Sequence, residues 1–120
     1  MEIKTFRDLI AWQRAMALAK EAYHVTADMP DSEKFGLITQ MRRAAVSIPS
    51  NIAEGYARQS RTDYIRYLKT ARGSLAELQT QMILSEQLGL IRASTPLNDL
   101  LGETDRVLQG LIRSLDRQPQ

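Results

Sequence analysis

His24 is the only histidine in the chain, and it closes the run Glu21-Ala22-Tyr23-His24. A Glu-x-x-His pair on a helix is half of a di-iron site, which needs further glutamates from facing helices. The helical phase argues against that reading. Tyr23 falls on the apolar stripe of its segment, which turns Glu21 and His24 outward. With one histidine, a two-pair site could form only across a symmetric interface. A Ser–His–acid triad would need the same His24, and no strand-turn-helix elbow exists to present a serine. The chain has 0 cysteines, which excludes a thiol nucleophile, a cysteine zinc site and a disulfide scaffold. No glycine-rich phosphate loop is present. Gly55 and Gly73 lie singly in helical segments, each at a cost of about 1 kcal/mol relative to alanine, so close approach of a helix or a subunit is their expected reason. Glu54 and Glu77 are candidate general acids or bases, but arginines on neighbouring helices explain them equally well. The expectation is a protein without catalytic residues, metal or cofactor, and not an enzyme.

The other chemistry is charge. Residues 42–72 carry Arg42, Arg43, Arg58, Arg61, Arg66, Lys69 and Arg72 against Glu54 and Asp63, a balance of +7 − 2 = +5. Residues 73–105 carry Arg92 against Glu77, Glu86, Asp99, Glu103 and Asp105, a balance of +1 − 5 = −4. Arginine outnumbers lysine 12 to 4, and its planar fork suits phosphate and paired carboxylates better than a point charge does. Two readings stand. The seven basic residues form a face for nucleic acid, with Tyr56, Tyr64 and Tyr67 among them to stack on bases. Alternatively, basic and acidic stretches face each other across helices or subunits, and the tyrosines are packing residues.

Four amphipathic segments must position these residues. In the first, Leu9, Trp12, Met16, Ala19, Tyr23 and Thr26 repeat at three and four, Thr5 and Asp8 resemble a capping box, and Pro30 ends the segment. Trp12 is read there as packing rather than as a ligand platform. The second covers about residues 32–58, with Ile38, Met41, Ala45, Ile48 and Ile52 in phase. Pro49 removes a backbone donor, yet the apolar phase continues through it, so one kinked helix is expected rather than two. The third has Tyr64, Leu68, Ala71, Leu75, Leu78, Met82 and Ser85, with Ser60 as its start and Gly89 as its stop. The fourth has Leu97, Leu101, Thr104, Leu108, Leu111 and Leu115, opened by Thr95 as cap and Pro96 at the first helical position.

No segment alternates with period two. The pattern predicts an all-α fold, an antiparallel up-down-up-down four-helix bundle over residues 1–117, with a disordered tail at 118–120. On this phase Arg66 and Lys69 point outward with Arg72 beside them, Arg42 and Arg43 flank the core stripe, and Arg58 and Arg61 bracket the turn between the second and third helices. Ile83 and Leu84 fall on the outer face of the third helix, and Leu100 and Val107 widen the stripe of the fourth. Contiguous outward apolar residues mark contacts, so these four are the expected interface of a homo-oligomer.

At 120 residues, with 43% hydrophobic and 25% charged residues, the chain has the size and composition of one globular domain. No apolar run approaches the length of a membrane span, and the start, which mixes charges with single apolar residues, is not a signal sequence. A cytoplasmic protein without membrane contact is expected.

The run Arg42-Arg43-Ala44-Ala45-Val46-Ser47-Ile48-Pro49-Ser50-Asn51-Ile52-Ala53-Glu54-Gly55 resembles the signature of the bacterial four-helix-bundle proteins named for intervening sequences of 23S rRNA genes. Two further pieces are similar to that family: Phe6 to Trp12 followed by Gln13, and Gly73-Ser74-Leu75-Ala76-Glu77-Leu78 with Thr80-Gln81. The resemblance spans about residues 6–92 in order, and the fourth segment shares only its pattern. It implies a four-helix bundle assembled as a homopentameric ring around a channel, with no catalytic residues to carry over. A fold relative serving diversity-generating retroelements binds nucleic acid and a reverse transcriptase, which makes RNA, or a nucleic-acid-processing protein, a partner to consider. The competing expectation is a scaffolding oligomer whose arginines pair with Glu54, Glu77 and Glu86.

Overall fold

A computed structural model describes residues 2–117; the expected tail at 118–120 lies outside the described residues. Four helices make up the fold: α1 (Ile10–Thr26), α2 (Leu37–Ala57), α3 (Arg61–Gln87) and α4 (Thr95–Asp116). Single 3-10 turns at Phe6–Asp8 and Asp31–Glu33 precede α1 and α2, and there is no strand among the described residues. Each helix packs on the next and α4 returns to α1, which closes the bundle around one core. The body measures 50 × 24 × 21 Å, as helices of this length side by side require.

The Thr5–Asp8 capping box forms: Thr5 Oγ1 accepts from the Arg7 N–H at 3.1 Å, and Asp8 Oδ2 accepts from the N–H groups of Lys4 and Thr5 at 2.9 and 3.1 Å. It opens the 3-10 turn rather than α1 itself. Those two donors also hold the Asp8 carboxyl below its ordinary pKa.

The expected Leu9, Ala19 and Thr26 are buried, but Ala11, Ala15 and Ala22, each one residue earlier, take the inner places expected of Trp12, Met16 and Tyr23. Trp12 and Met16 are half-buried and Tyr23 is exposed. One residue is about 100° on a helix, so this is a real rotation. The alanines point inward, where they let α1 come close to its neighbours, and the large side chains lie along its edge.

One helix passes through Pro49, and the proline ring is buried with Met41, Ala44, Ala45, Ile48, Ile52 and Gly55. The helix starts at Leu37, later than expected, where Glu33 Oε1 accepts the Leu37 N–H at 3.3 Å. α3 buries Leu68, Ala71, Leu75, Leu78, Met82 and Ser85 in the expected phase, and Tyr64 is half-buried. Ser60 Oγ accepts from the Asp63 N–H, and Gly89 at φ +72° ends the helix in the left-handed region. α4 buries Leu97, Leu101, Thr104, Leu108 and Ile112; Ile112 takes the inner place expected of Leu111 and Leu115, which are half-buried. Its cap is Ser94, whose Oγ accepts the Leu97 N–H at 3.2 Å, and Thr95 is the first helical residue.

Leu18, Met41, Ile48, Ile52, Leu68, Leu78, Met82, Leu97, Leu101 and Leu108 are fully buried. Each such side chain contributes about 1.5–3 kcal/mol on leaving water. Contacts between α2 and α3 run in order along the seam: Met41 meets Ser85, Ser47 meets Ser74, and Gly55 lies under Tyr67. A Cβ on Gly55 would sit 2.6 Å from Tyr67 Cβ, so a glycine is required there. At Gly73 a Cβ would meet nothing within 4 Å in this chain, so approach of a neighbouring helix of the same chain is not its reason.

Candidate interaction surfaces

The seven basic residues do not share one face. Arg42 turns toward α1: its Nε donates to Thr26 Oγ1 at 2.9 Å, its Nη2 to the Tyr23 carbonyl at 3.4 Å, and its guanidinium lies 4.5 Å from the Tyr23 ring centroid. Arg72 turns the other way, toward α4, where Nε donates to Asp105 Oδ1 at 2.8 Å. Arg58 and Arg66 both sit against Tyr67, at 5.2 and 5.0 Å from its ring centroid, one from α2 and one from α3. Arg58 Nη2 donates to the Tyr67 hydroxyl at 2.7 Å and to Glu54 Oε1 at 3.2 Å, and the hydroxyl donates to the same carboxylate at 3.3 Å. The Glu54 hydrogen bond, with the Tyr67 charge behind it, raises the pKa of Arg58 further. Arg66 also pairs with Asp63 at 3.2 Å. Arg61 is the first residue of α3 and is half-buried. Arg43 and Lys69 are exposed, and no hydrogen bond or ion pair joins either to another described residue.

Of the three carboxylates expected to pair with arginine, Glu54 does so, with Arg58. The others that pair are Asp63 with Arg66, Asp105 with Arg72, and Glu103 with Arg14, the last two joining α4 to α3 and α1. Asp63–Arg66 has the i,i+3 spacing of one helix, whereas Arg14–Glu103 and Arg72–Asp105 meet only through helix packing and leave no signal in spacing along the chain. Tyr56 and Tyr64 pack edge to face at 5.9 Å, and burial pushes the Tyr64 hydroxyl up to about 12. All three rings are half-buried, and the Tyr67 ring is already covered by Arg58 and Arg66.

The apolar surface is more concentrated than the basic one. Along the α1–α2 seam a groove of about 540 Å³ is lined by Trp12, Met16, Ala19, Lys20, Tyr23, Val46, Pro49, Ser50 and Ala53. Its walls are apolar because the rotation of α1 lays the large side chains over this seam. Trp12 is braced by Phe6, edge to face at 5.3 Å, while Tyr23 and Val46 keep 44% of their surface in solvent. Arg42 and Arg43 lie at the next turn of the same seam, in a hollow they share with Tyr23, Thr39, Val46 and Ser47. The sequence did carry a signal for this groove: Ala11, Ala15, Ala19 and Ala22 have helical spacing, one step from the stripe of large residues.

Ile83 and Leu84 are exposed on the outside of α3, each at 44%, as the phase of that helix predicts. Leu100 and Val107 are half-buried and pack on the core, so they offer only an edge to a partner. Phe35, which the periodicity did not single out, is 91% exposed in the turn before α2.

At the end of the bundle where α1 stops and α4 starts, Glu21, His24, Asp28, Arg92 and Ser94 line an open cleft. Among the described residues, no group of three His, Cys, Asp or Glu converges as metal ligands would. Ser94 Oγ is engaged as the α4 cap. No helix is long and apolar enough to cross a membrane. Residues 7–113 match the family described as 23S rRNA-intervening sequence protein. No curated protein matches the chain.

Proposed function

The chain belongs to the 23S rRNA-intervening sequence protein family, and from that premise we propose that it is a non-enzymatic interaction protein that works as an assembly of copies of itself. The observation that carries this reading is the distribution of the two kinds of surface. Arg42, Arg58, Arg66 and Arg72 are tied to groups of their own chain, whereas the α1–α2 groove and the Ile83–Leu84 ridge are left in water. Charged groups that satisfy one another add rigidity, and unsatisfied apolar surface supplies association energy. The ordered α2–α3 contacts and the short connections support an up-down-up-down bundle with antiparallel neighbours. A homopentameric ring, the assembly implied by the family resemblance, is the form proposed, and the cytoplasm its compartment. Light scattering on the eluting protein tests it. A mass several times that of one chain is expected across the micromolar range, and a monomer there would sink the reading.

A second reading has its own observation. Arg58 and Arg66 flank the Tyr67 ring, and Arg43 and Lys69 are exposed without partners among the described residues. Since the family description names 23S rRNA, RNA is the nucleic acid to test, either directly or beside a nucleic-acid-processing protein. Fluorescence anisotropy with a structured RNA at about 50 and 200 mM salt should show binding that weakens steeply with salt. No binding at the lower salt excludes it.

A further inference from the structure

We propose that the α1–α2 groove is the docking site for the outer face of α3 from a second copy of the chain, in a head-to-tail contact. This rests on the assembly reading above and specifies which surfaces meet. The two surfaces are complementary in shape. The groove is concave and walled by Trp12, Met16, Tyr23 and Val46. The outer face of α3 is convex, with exposed Gly73, Ala76, Thr80, Ile83 and Leu84 falling at helical spacing. A helix laid into such a groove anchors through residues three and four apart. The small residues at 73, 76 and 80 let the incoming backbone approach the groove floor, where Pro49 and Ala53 leave room. This also accounts for Gly73, whose Cβ position is empty in the single chain and would face the partner.

The charges match as well. Lys20 stands on the rim of the groove and Arg43 in the adjoining hollow, while Glu77 projects from the outer face of α3. All three are exposed, and none has an ion-pair partner among the described residues. The part of α3 that would enter the groove, residues 73–87, carries Glu77 and Glu86 and no base, so its sign is opposite to that of Lys20 and Arg43. Groove and ridge lie on different parts of the surface, so each copy can give one and take the other. Such a heterologous contact repeats around a closed ring or along a filament, whereas a two-fold dimer uses the same patch twice.

The absence of native cysteine makes the test clean. Val46→Cys and Ile83→Cys chains are mixed and treated with a short bismaleimide cross-linker. The expected result is a cross-linked pair in the mixture, a ladder from the double variant, and no product from either variant alone. Cross-linking of a single variant with itself, or none in the mixture, overturns the pairing of these faces. Light scattering on the untreated wild-type chain separates the two failures. An assembled chain without the Val46–Ile83 product refutes this interface and leaves the assembly reading standing. A monomer overturns both and gives the groove to a helix of another protein. Leu84→Glu should weaken association by about tenfold or more while the helical circular dichroism is unchanged, because the charge enters a patch that must lose water.

Discussion

Along the α2–α3 seam, Gly55 lets Tyr67 Cβ and the Tyr64 carbonyl come into contact, Ser47 bonds Ser74, Tyr56 packs on Tyr64, and Arg58 ties Glu54 to Tyr67. Along the α1–α2 seam, the same helix α2 meets a wall of alanines, and the bulky residues beside them enclose a groove open to water. The first seam is completed by its own chain, and the second leaves apolar area and unpaired charge at its rim. The difference teaches where stability and function are separated in this small bundle. Substitutions on the α2–α3 seam should be read as unfolding, and substitutions on the α1–α2 seam as lost association.

The strongest test of that contrast is a pair of glycines. Gly55→Ala places a Cβ 2.6 Å from Tyr67 Cβ, and because that atom persists in any residue but glycine, truncating Tyr67 to alanine gives no relief. Even after the gain in helix propensity, a loss of about 2 kcal/mol in unfolding free energy is expected, measured by urea denaturation. Gly73→Ala meets nothing within 4 Å and should stabilise the isolated chain by about 0.5–1 kcal/mol. If Gly55→Ala is neutral, the α2–α3 seam is looser than its geometry states.

Much of this architecture was legible in the chain, and the exceptions have physical reasons. The phase and both ends of α3 could be read because Ser60, Gly89 and a run of leucines act locally. In α1 the pattern places Leu9, Ala19 and Thr26 correctly but not Trp12, Met16 and Tyr23, whose apolar bulk mimics a core stripe. Close packing instead favoured Ala11, Ala15 and Ala22. The α4 cap moved from Thr95 to Ser94, a one-residue choice that either hydroxyl could fill. Local pairs such as Glu54–Arg58 are legible in spacing, but the partners of Arg42 and Arg72 are not, since Arg42 meets α1 and Arg72 meets α4 only once the helices are packed. Phe35 gave no periodic signal at all, being a single residue in a turn.

A smaller effect sharpens the comparison at the middle of the finished seam. Ser47 Oγ bonds Ser74 Oγ at 2.8 Å, and Asn51 Nδ2 donates to both the Ser47 hydroxyl and its carbonyl at 2.9 and 2.8 Å. Ser47→Ala or Ser74→Ala leaves a half-buried hydroxyl without its partner and should cost about 1 kcal/mol. The double substitution should cost less than the sum, because the second removal takes away an orphan rather than a bond. Strict additivity in a denaturation cycle would show that the two hydroxyls do not interact.

The smallest expected effect is a pH dependence located at the end of the same seam. Burial, with the Tyr56 charge as a lesser cause, raises Tyr64 from an ordinary value of 10.0 to about 12, and its hydroxyl oxygen is buried with no hydrogen-bond partner among the described residues. The folded state therefore holds the proton more tightly than the unfolded chain does. Stability from this group is complete below pH 10 and is lost as the pH rises toward 12, because the unfolded chain ionises first. Lysines also titrate in that range, so the decisive comparison is with Tyr64→Phe, which keeps the ring contact with Tyr56 and removes the ionising group. Its melting temperature should fall less steeply between pH 10 and 12 than that of the wild type. It should also match or exceed the wild type at pH 7, where the orphaned hydroxyl is gone. Equal slopes would mean that the Tyr64 ring is wetter than the packing around Gly55 implies, and the seam would then be open at this end as it is along α1.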